Sequence, residues 1–208
     1  MALAQHEVVR AQTEANRPLE YDEDGQRHIL GFWLFLATDL VLFACLFATY
    51  QVLVTHTDGG PVLSELFELG GVTAETILLL TSSFTGGLAI YEMRRGNLRG
   101  LIGWLVFTVM LGLAFIGIEV YEFVTFVGEG ATMQRSAALS AFFTLVGTHG
   151  LHVSFGILWM ISVIVQLLRF GIQPVTARKA FIAGLYWHFL DVVWVFVFSA
   201  VYLMGVLG

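Results

Sequence analysis

The order of apolar and polar positions divides this 208-residue chain into a polar start and five long apolar runs. The runs fall near 29–55, 71–93, 100–127, 137–168 and 178–206. Each is long enough to cross ~30 Å of hydrocarbon as a helix, which takes about 20 residues. Asp58-Gly59-Gly60-Pro61 opens the first loop, Arg94-Arg95-Gly96-Asn97 makes a tight polar turn, and Gly171 to Pro174 ends the fourth run. Glycine and proline do not continue a helix cheaply, so these breaks are read as helix ends. The predicted fold is all-α: an integral membrane bundle of five transmembrane helices over 28–208, preceded by a polar tail over 1–27. No internal repeat is visible, which disfavours an inverted-repeat transporter.

Composition agrees with a lipid solvent. Apolar residues make up 57% of the chain and charged residues 12%, more apolar surface than a soluble domain of this size can hide. The net charge of −6 owes much to the tail, which holds Glu7, Glu14, Glu20, Asp22, Glu23 and Asp24. That segment has no apolar core and no small-residue cleavage site, so it reads as a tail and not a signal peptide. A lone cysteine, Cys45, cannot form an internal disulfide or a cysteine-rich metal centre. Net acidity without a basic patch argues against nucleic acid.

The basic residues set an expected orientation. Arg10, Arg17, Arg27, Arg94, Arg95, Arg99, Arg169, Arg178 and Lys179 fall on one side of a five-helix topology, and Arg135 alone on the other. The positive-inside rule then makes the N-terminus cytoplasmic and places the C-terminus outside. Trp33, Trp104 and Trp187 fall near the inner helix ends, where an aromatic belt is expected.

Eight ionisable residues lie inside the runs: Asp39, Glu75, Glu119, Glu122, His149, His152, His188 and Asp191. Glu119 with Glu122, His149 with His152, and His188 with Asp191 are each three residues apart, so each pair shares a helical face and can point into a bundle. Such groups can build a di-iron centre, hold a haem between His149 and His188, or hydrogen-bond across helices. Hydrogen bonding is the preferred reading, since the helices put the groups at different depths. It predicts no metal and no catalytic residue. Small residues at four-residue spacing support it: Gly150 with Ser154, Ser82 with Gly86, and Ser83 with Gly87 let helices approach closely. By depth, His149 and His152 are expected to bond to Glu119 or Glu122, and Asp39 to meet His188. Asp39 has no basic residue on its own helix, which leaves a hydrogen-bonded structural role and a proton-handling role both open.

The segments GTHGLHV at 147–153 and YWHFLDVVW at 186–194 resemble subunit III of the haem–copper respiratory oxidases. GFWLFLATD at 31–39, LFATY at 46–50 and GIEVYEF at 117–123 extend the resemblance over nearly all of 28–206. Longer mitochondrial-type members carry two further helices at the start. The short form is similar to the quinol oxidase versions, of the cytochrome bo and bacterial aa types, and EMRRGNLRG at 92–100 looks closer to the latter. Thr38-Asp39-Leu40 matches the family's carboxylate in its first shared helix, where most members have Glu.

The resemblance implies a non-catalytic accessory subunit in a complex that oxidises quinol, reduces oxygen to water and pumps protons. It implies a place in a bacterial plasma membrane beside subunits I, II and IV, with bound phospholipid and a supporting role in proton uptake and stability. A count of ligands agrees. A haem–copper centre with its second haem needs more membrane histidines than the three here, and a dinuclear copper site needs a pair of cysteines. Haems and copper are therefore expected in the partner catalytic subunit and no cofactor in this chain. Asp39 and His188 are the proton-handling candidates, and Glu119, Glu122, His149, His152 and Asp191 the structural polar network. The alternatives are subunit III of a five-helix cytochrome c oxidase, a haem-binding membrane anchor, and a small proton-coupled transporter.

Overall fold

A computed structural model describes residues 23–57 and 69–207. Most of the tail and the Asp58–Pro61 break lie outside the described residues. The helices are α1 (Glu23–Leu53), α2 (Leu69–Arg94), α3 (Leu98–Gly128), α4 (Ala137–Phe170) and α5 (Pro174–Val197). α5 runs on through a π-helical stretch, Phe198–Leu203, into a last turn, α6 (Met204–Leu207). Five helices are long and apolar enough to span a membrane, and the described residues contain no strand. α1 begins at Glu23, so residues 23–27, assigned to the tail, are its first turn.

The helix ends follow from local chemistry. Gly96 and Gly171 take positive φ, 73° and 70°, which a residue with a Cβ adopts only at a cost. The Asn97 side chain accepts from Gly100 N and caps α3, and Ser136 does the same for α4 from Leu139 N. At α5, Gln173 N donates to Thr176 Oγ1 at 2.8 Å, and Pro174 occupies the first turn, where its missing N–H is not needed. In the π-helical stretch the Ala200 carbonyl accepts from Gln51 Nε2 of α1 at 3.4 Å.

α2 packs along α3, α3 on α4, α4 on α5, and α5 back on α2, closing a four-helix bundle. α1 lies outside it, against α4 and α5. Consequently α5 is the most enclosed helix, while α1 turns Leu34, Val41 and Val52 outward. Arg27, Arg94, Arg95, Arg99, Arg169, Arg178 and Lys179 collect at one end, here the basic end; the other is the far end.

Trp187 departs from the belt expected of it. Trp33 and Trp104 are exposed, but Trp187 is buried in the core. A Cβ on Gly112 would sit 2.7 Å from Trp187 Cη2, and one on Gly156 3.2 Å from its Cε3. The two glycines of α3 and α4 thus leave the slot the indole fills, and its Nε1 donates to Ser82 Oγ of α2 at 3.0 Å. The physical reason is depth: Trp187 stands more than three turns into α5, roughly 20 Å from its start at 1.5 Å per residue.

Candidate functional site

The ionisable residues of the spans form three groups. The first joins α1 to α4 at mid-bundle. His152 Nε2 lies 3.3 Å from Asp39 Oδ1, and His152 Nδ1 lies 2.7 Å from the Thr148 carbonyl. A carbonyl oxygen only accepts, so Nδ1 carries a proton. The Nε2–Oδ1 contact is the polar link between α1 and α4. The Phe43 ring lies tilted against the His152 ring, centroids 5.2 Å apart, and Tyr186 OH donates to the His152 carbonyl at 3.2 Å.

This corrects the partner expected for Asp39, which is His152 and not His188. Depth counted from the start of the first apolar run misplaces Asp39. α1 begins at Glu23 and α4 is 34 residues long, so Asp39 and His152 each stand at the middle of their helix. His188 belongs to the second group instead. Its Nδ1 is 2.7 Å from Ser83 Oγ on α2 and 4.0 Å from Asp191 Oδ2 on its own helix. Beside it, Thr85 and Thr108 share a hydrogen bond between α2 and α3 at 2.8 Å. Ser82 and Ser83, read as small residues for close packing, also supply the hydroxyls that bind Trp187 and His188.

The third group lies toward the far end: Glu75 of α2 with Glu119 and Glu122 of α3, bordered by Tyr50 and Tyr202. The expected bonds from His149 and His152 to Glu119 or Glu122 do not form. Gly150 lets the Glu119 carboxyl lie against the α4 backbone, where a Cβ would be 2.6 Å from both its oxygens. The His149 ring sits among Phe43, Phe115 and Trp194, at centroid distances of 6.3, 6.0 and 5.3 Å. Neither of its nitrogens has a hydrogen-bond partner among the described residues. A haem-type pairing of His149 with His188 is not assembled, because aromatic rings pack around one and Ser83 engages the other. Among the described residues, no three His, Cys, Asp or Glu side chains converge as metal ligands.

Sequence reasoning noted Glu75 but gave it no role, because it has no ionisable neighbour on its own helical face. Its isolation in the apolar stretch ETILLL was the available signal. Tyr50, Tyr202, Gly112 and Gly156 carried no such mark.

These features define a class: a multi-pass helical membrane protein whose ionisable groups engage one another across helices. The model of cytochrome c oxidase subunit III matches residues 22–206, and the chain belongs to that family. It is 52% identical over 195 residues to "Quinol oxidase subunit 3" of Bacillus subtilis (strain 168), covering 93% of this chain and 96% of the relative. It is 49% identical over 185 residues to "Cytochrome bo(3) ubiquinol oxidase subunit 3" of Pseudomonas putida, covering 89% of each. With "Cytochrome c oxidase subunit 3" of Bacillus sp. (strain PS3) the identity is 48% over 202 residues, 97% of this chain and 96% of the relative. As a subunit of an oxidase family, the chain has other oxidase subunits as its partners.

Proposed function

We propose that this chain is the accessory subunit III of a proton-pumping haem–copper quinol oxidase in a bacterial plasma membrane. The observation that carries the reading is identity above one half, over nearly the whole chain, to relatives named quinol oxidase subunit 3. Haems and copper belong to the partner catalytic subunit I, with subunits II and IV completing the complex and phospholipid at the outward faces. The N-terminus is cytoplasmic and the C-terminus outside, as the clustering of basic residues at one end favours.

Within the complex, Asp39 and His152 hold a proton at mid-membrane on the helix that packs outermost. A carboxyl and an imidazole in hydrocarbon are costly to keep, and a pair that shares one proton is suited to holding and passing it. His188, bonded to Ser83, serves as the link between α5 and α2. Purification through a tag on this chain tests the assignment. Co-purifying subunits with a haem spectrum and quinol oxidation support it. A complex that oxidises cytochrome c, with a copper-ligand cysteine pair in subunit II, favours the second reading, a cytochrome c oxidase like that of the strain PS3 relative.

A further inference from the structure

Three carboxyl groups lie in the far-end half of the bundle. Glu75 is within electrostatic reach of Glu119 and Glu122, and those two of each other. Two observations independent of their charge mark a built site. First, glycines make the room. A Cβ on Gly150 would sit 2.6 Å from both Glu119 oxygens, and one on Gly71 2.7 Å from Glu122 Oε1. Carboxyl groups of α3 thus occupy spaces on α4 and α2 that any other residue would fill. Second, enclosed polar atoms around them lack hydrogen-bond partners among the described residues. These are both oxygens of Glu75, which is 0% exposed, Oε1 of Glu119, and the hydroxyl of Tyr50, which is 1% exposed. Tyr202, from the π-helical stretch, is within reach of all three carboxyl groups and of Tyr50.

The surroundings restrict what such a site holds. No Lys or Arg occurs in 28–93, 100–134, 136–168 or 180–208, so no cationic side chain of the spans balances the charge. The one ionisable group nearby on α4, His149, stands in its aromatic surround next to Gly150. Three carboxylates within electrostatic reach of one another in a low dielectric repel, and such groups are neutralised by protons or a bound cation. A cation needs converging ligands, and no such convergence exists among the described residues. Protons need only donors and acceptors. A carboxylic acid and a phenol each donate once, and a carboxylate accepts. The set from four elements supplies both kinds.

We propose that Glu75, Glu119 and Glu122, with the hydroxyl of Tyr202 within reach, form a proton-binding site in which the enclosed carboxyl groups hold protons. The half-buried member, Glu122, is where protons exchange with the far surface. The site is separate from the Asp39–His152 pair, and nothing in it depends on which electron donor the complex uses.

Infrared absorption of the assembled complex, compared in H2O and D2O across pH, reads carboxylic-acid C=O bands directly. The expected result is a pH-dependent band that E75Q or E119Q diminishes. E92Q, at the basic end where Asn97 Nδ2 donates to Glu92 at 2.6 Å, leaves it unchanged. Y202F shifts the band without removing it, because it takes away the hydroxyl within reach of all three carboxyl groups and keeps every carboxyl group. An identical band in E75Q and wild type overturns the proposal. If E75Q fails to assemble, Y202F decides, and an unshifted band overturns it. Loss of a bound metal ion from E75Q, measured by elemental analysis of the same samples, overturns it in favour of a cation site.

Discussion

Asp39 and His152 show how little separates a structural contact from a working one. Their 3.3 Å contact ties α1 to α4, and the same contact is the proposed place for a proton. Asp39→Asn separates the roles, since Asn keeps the shape and some hydrogen bonding but cannot ionise. If the pair handles protons, turnover falls in this variant as pH rises and protons become scarce, with haem spectrum and subunit content normal. Unchanged turnover between about pH 6 and 9, a window spanning ordinary histidine titration, leaves only the structural role. Asp39→Asn combined with His152→Gln should slow turnover no more than Asp39→Asn alone, because residues acting as one unit are not additive. Losses that add would show that the two act independently.

Among the elements, α5 organises the bundle, and Trp187 is its main anchor. The indole fills a slot that Gly112 of α3 and Gly156 of α4 leave open and bonds to Ser82 of α2, so one side chain joins four helices. Gly112→Ala places a methyl group 2.7 Å from the ring edge. Overpacking of this kind costs about 1–3 kcal/mol, and the expected outcome is a lower thermal midpoint for loss of this subunit from the complex. Trp187→Phe shortens the ring, so Gly112→Ala should cost less in that background. Equal costs in the two backgrounds would mean that the slot is not what holds the helices together. Gly103 makes the contrast, because a Cβ there meets nothing within 4 Å and its replacement by Ala is expected to leave the midpoint unchanged.

At the scale of the whole molecule, charge is divided between the two ends while polar contacts are stacked between them. The basic end carries Arg94, Arg95, Arg99, Arg169, Arg178 and Lys179, and the carboxyl groups Glu75, Glu119 and Glu122 lie toward the other. A reporter fused after Gly208 is expected to be active only outside the cytoplasm, and cytoplasmic activity would reverse the topology. α1 stands outside the four-helix bundle with most of its surface uncovered. Its contact with the rest includes Asp39–His152 and the bond from Gln51 to Ala200. Shortening Gln51 to Ala should therefore loosen α1 and the π-helical stretch it bonds to, seen as faster amide exchange in those two but not in α2 and α3.

The five spans, their order and the family were legible in the sequence because they depend on local properties. Length of an apolar run, turn chemistry at Gly96–Asn97 and Gly171–Pro174, and motifs such as GTHGLHV are all contiguous along the chain. The pairing of helical faces was legible too, since residues three apart share a face whatever the neighbour is. Which face meets which was not. Partners were assigned by depth, and depth depends on where a helix starts. Six residues at the start of α1 put Asp39 at the middle of its helix, level with His152 at the middle of α4. Glycine decided the rest. Gly150 and Gly71 admit carboxyl groups, and Gly112 and Gly156 admit an indole, yet in the sequence each is only a small residue in an apolar run. Only the packed bundle shows which side chain enters the space a missing Cβ leaves.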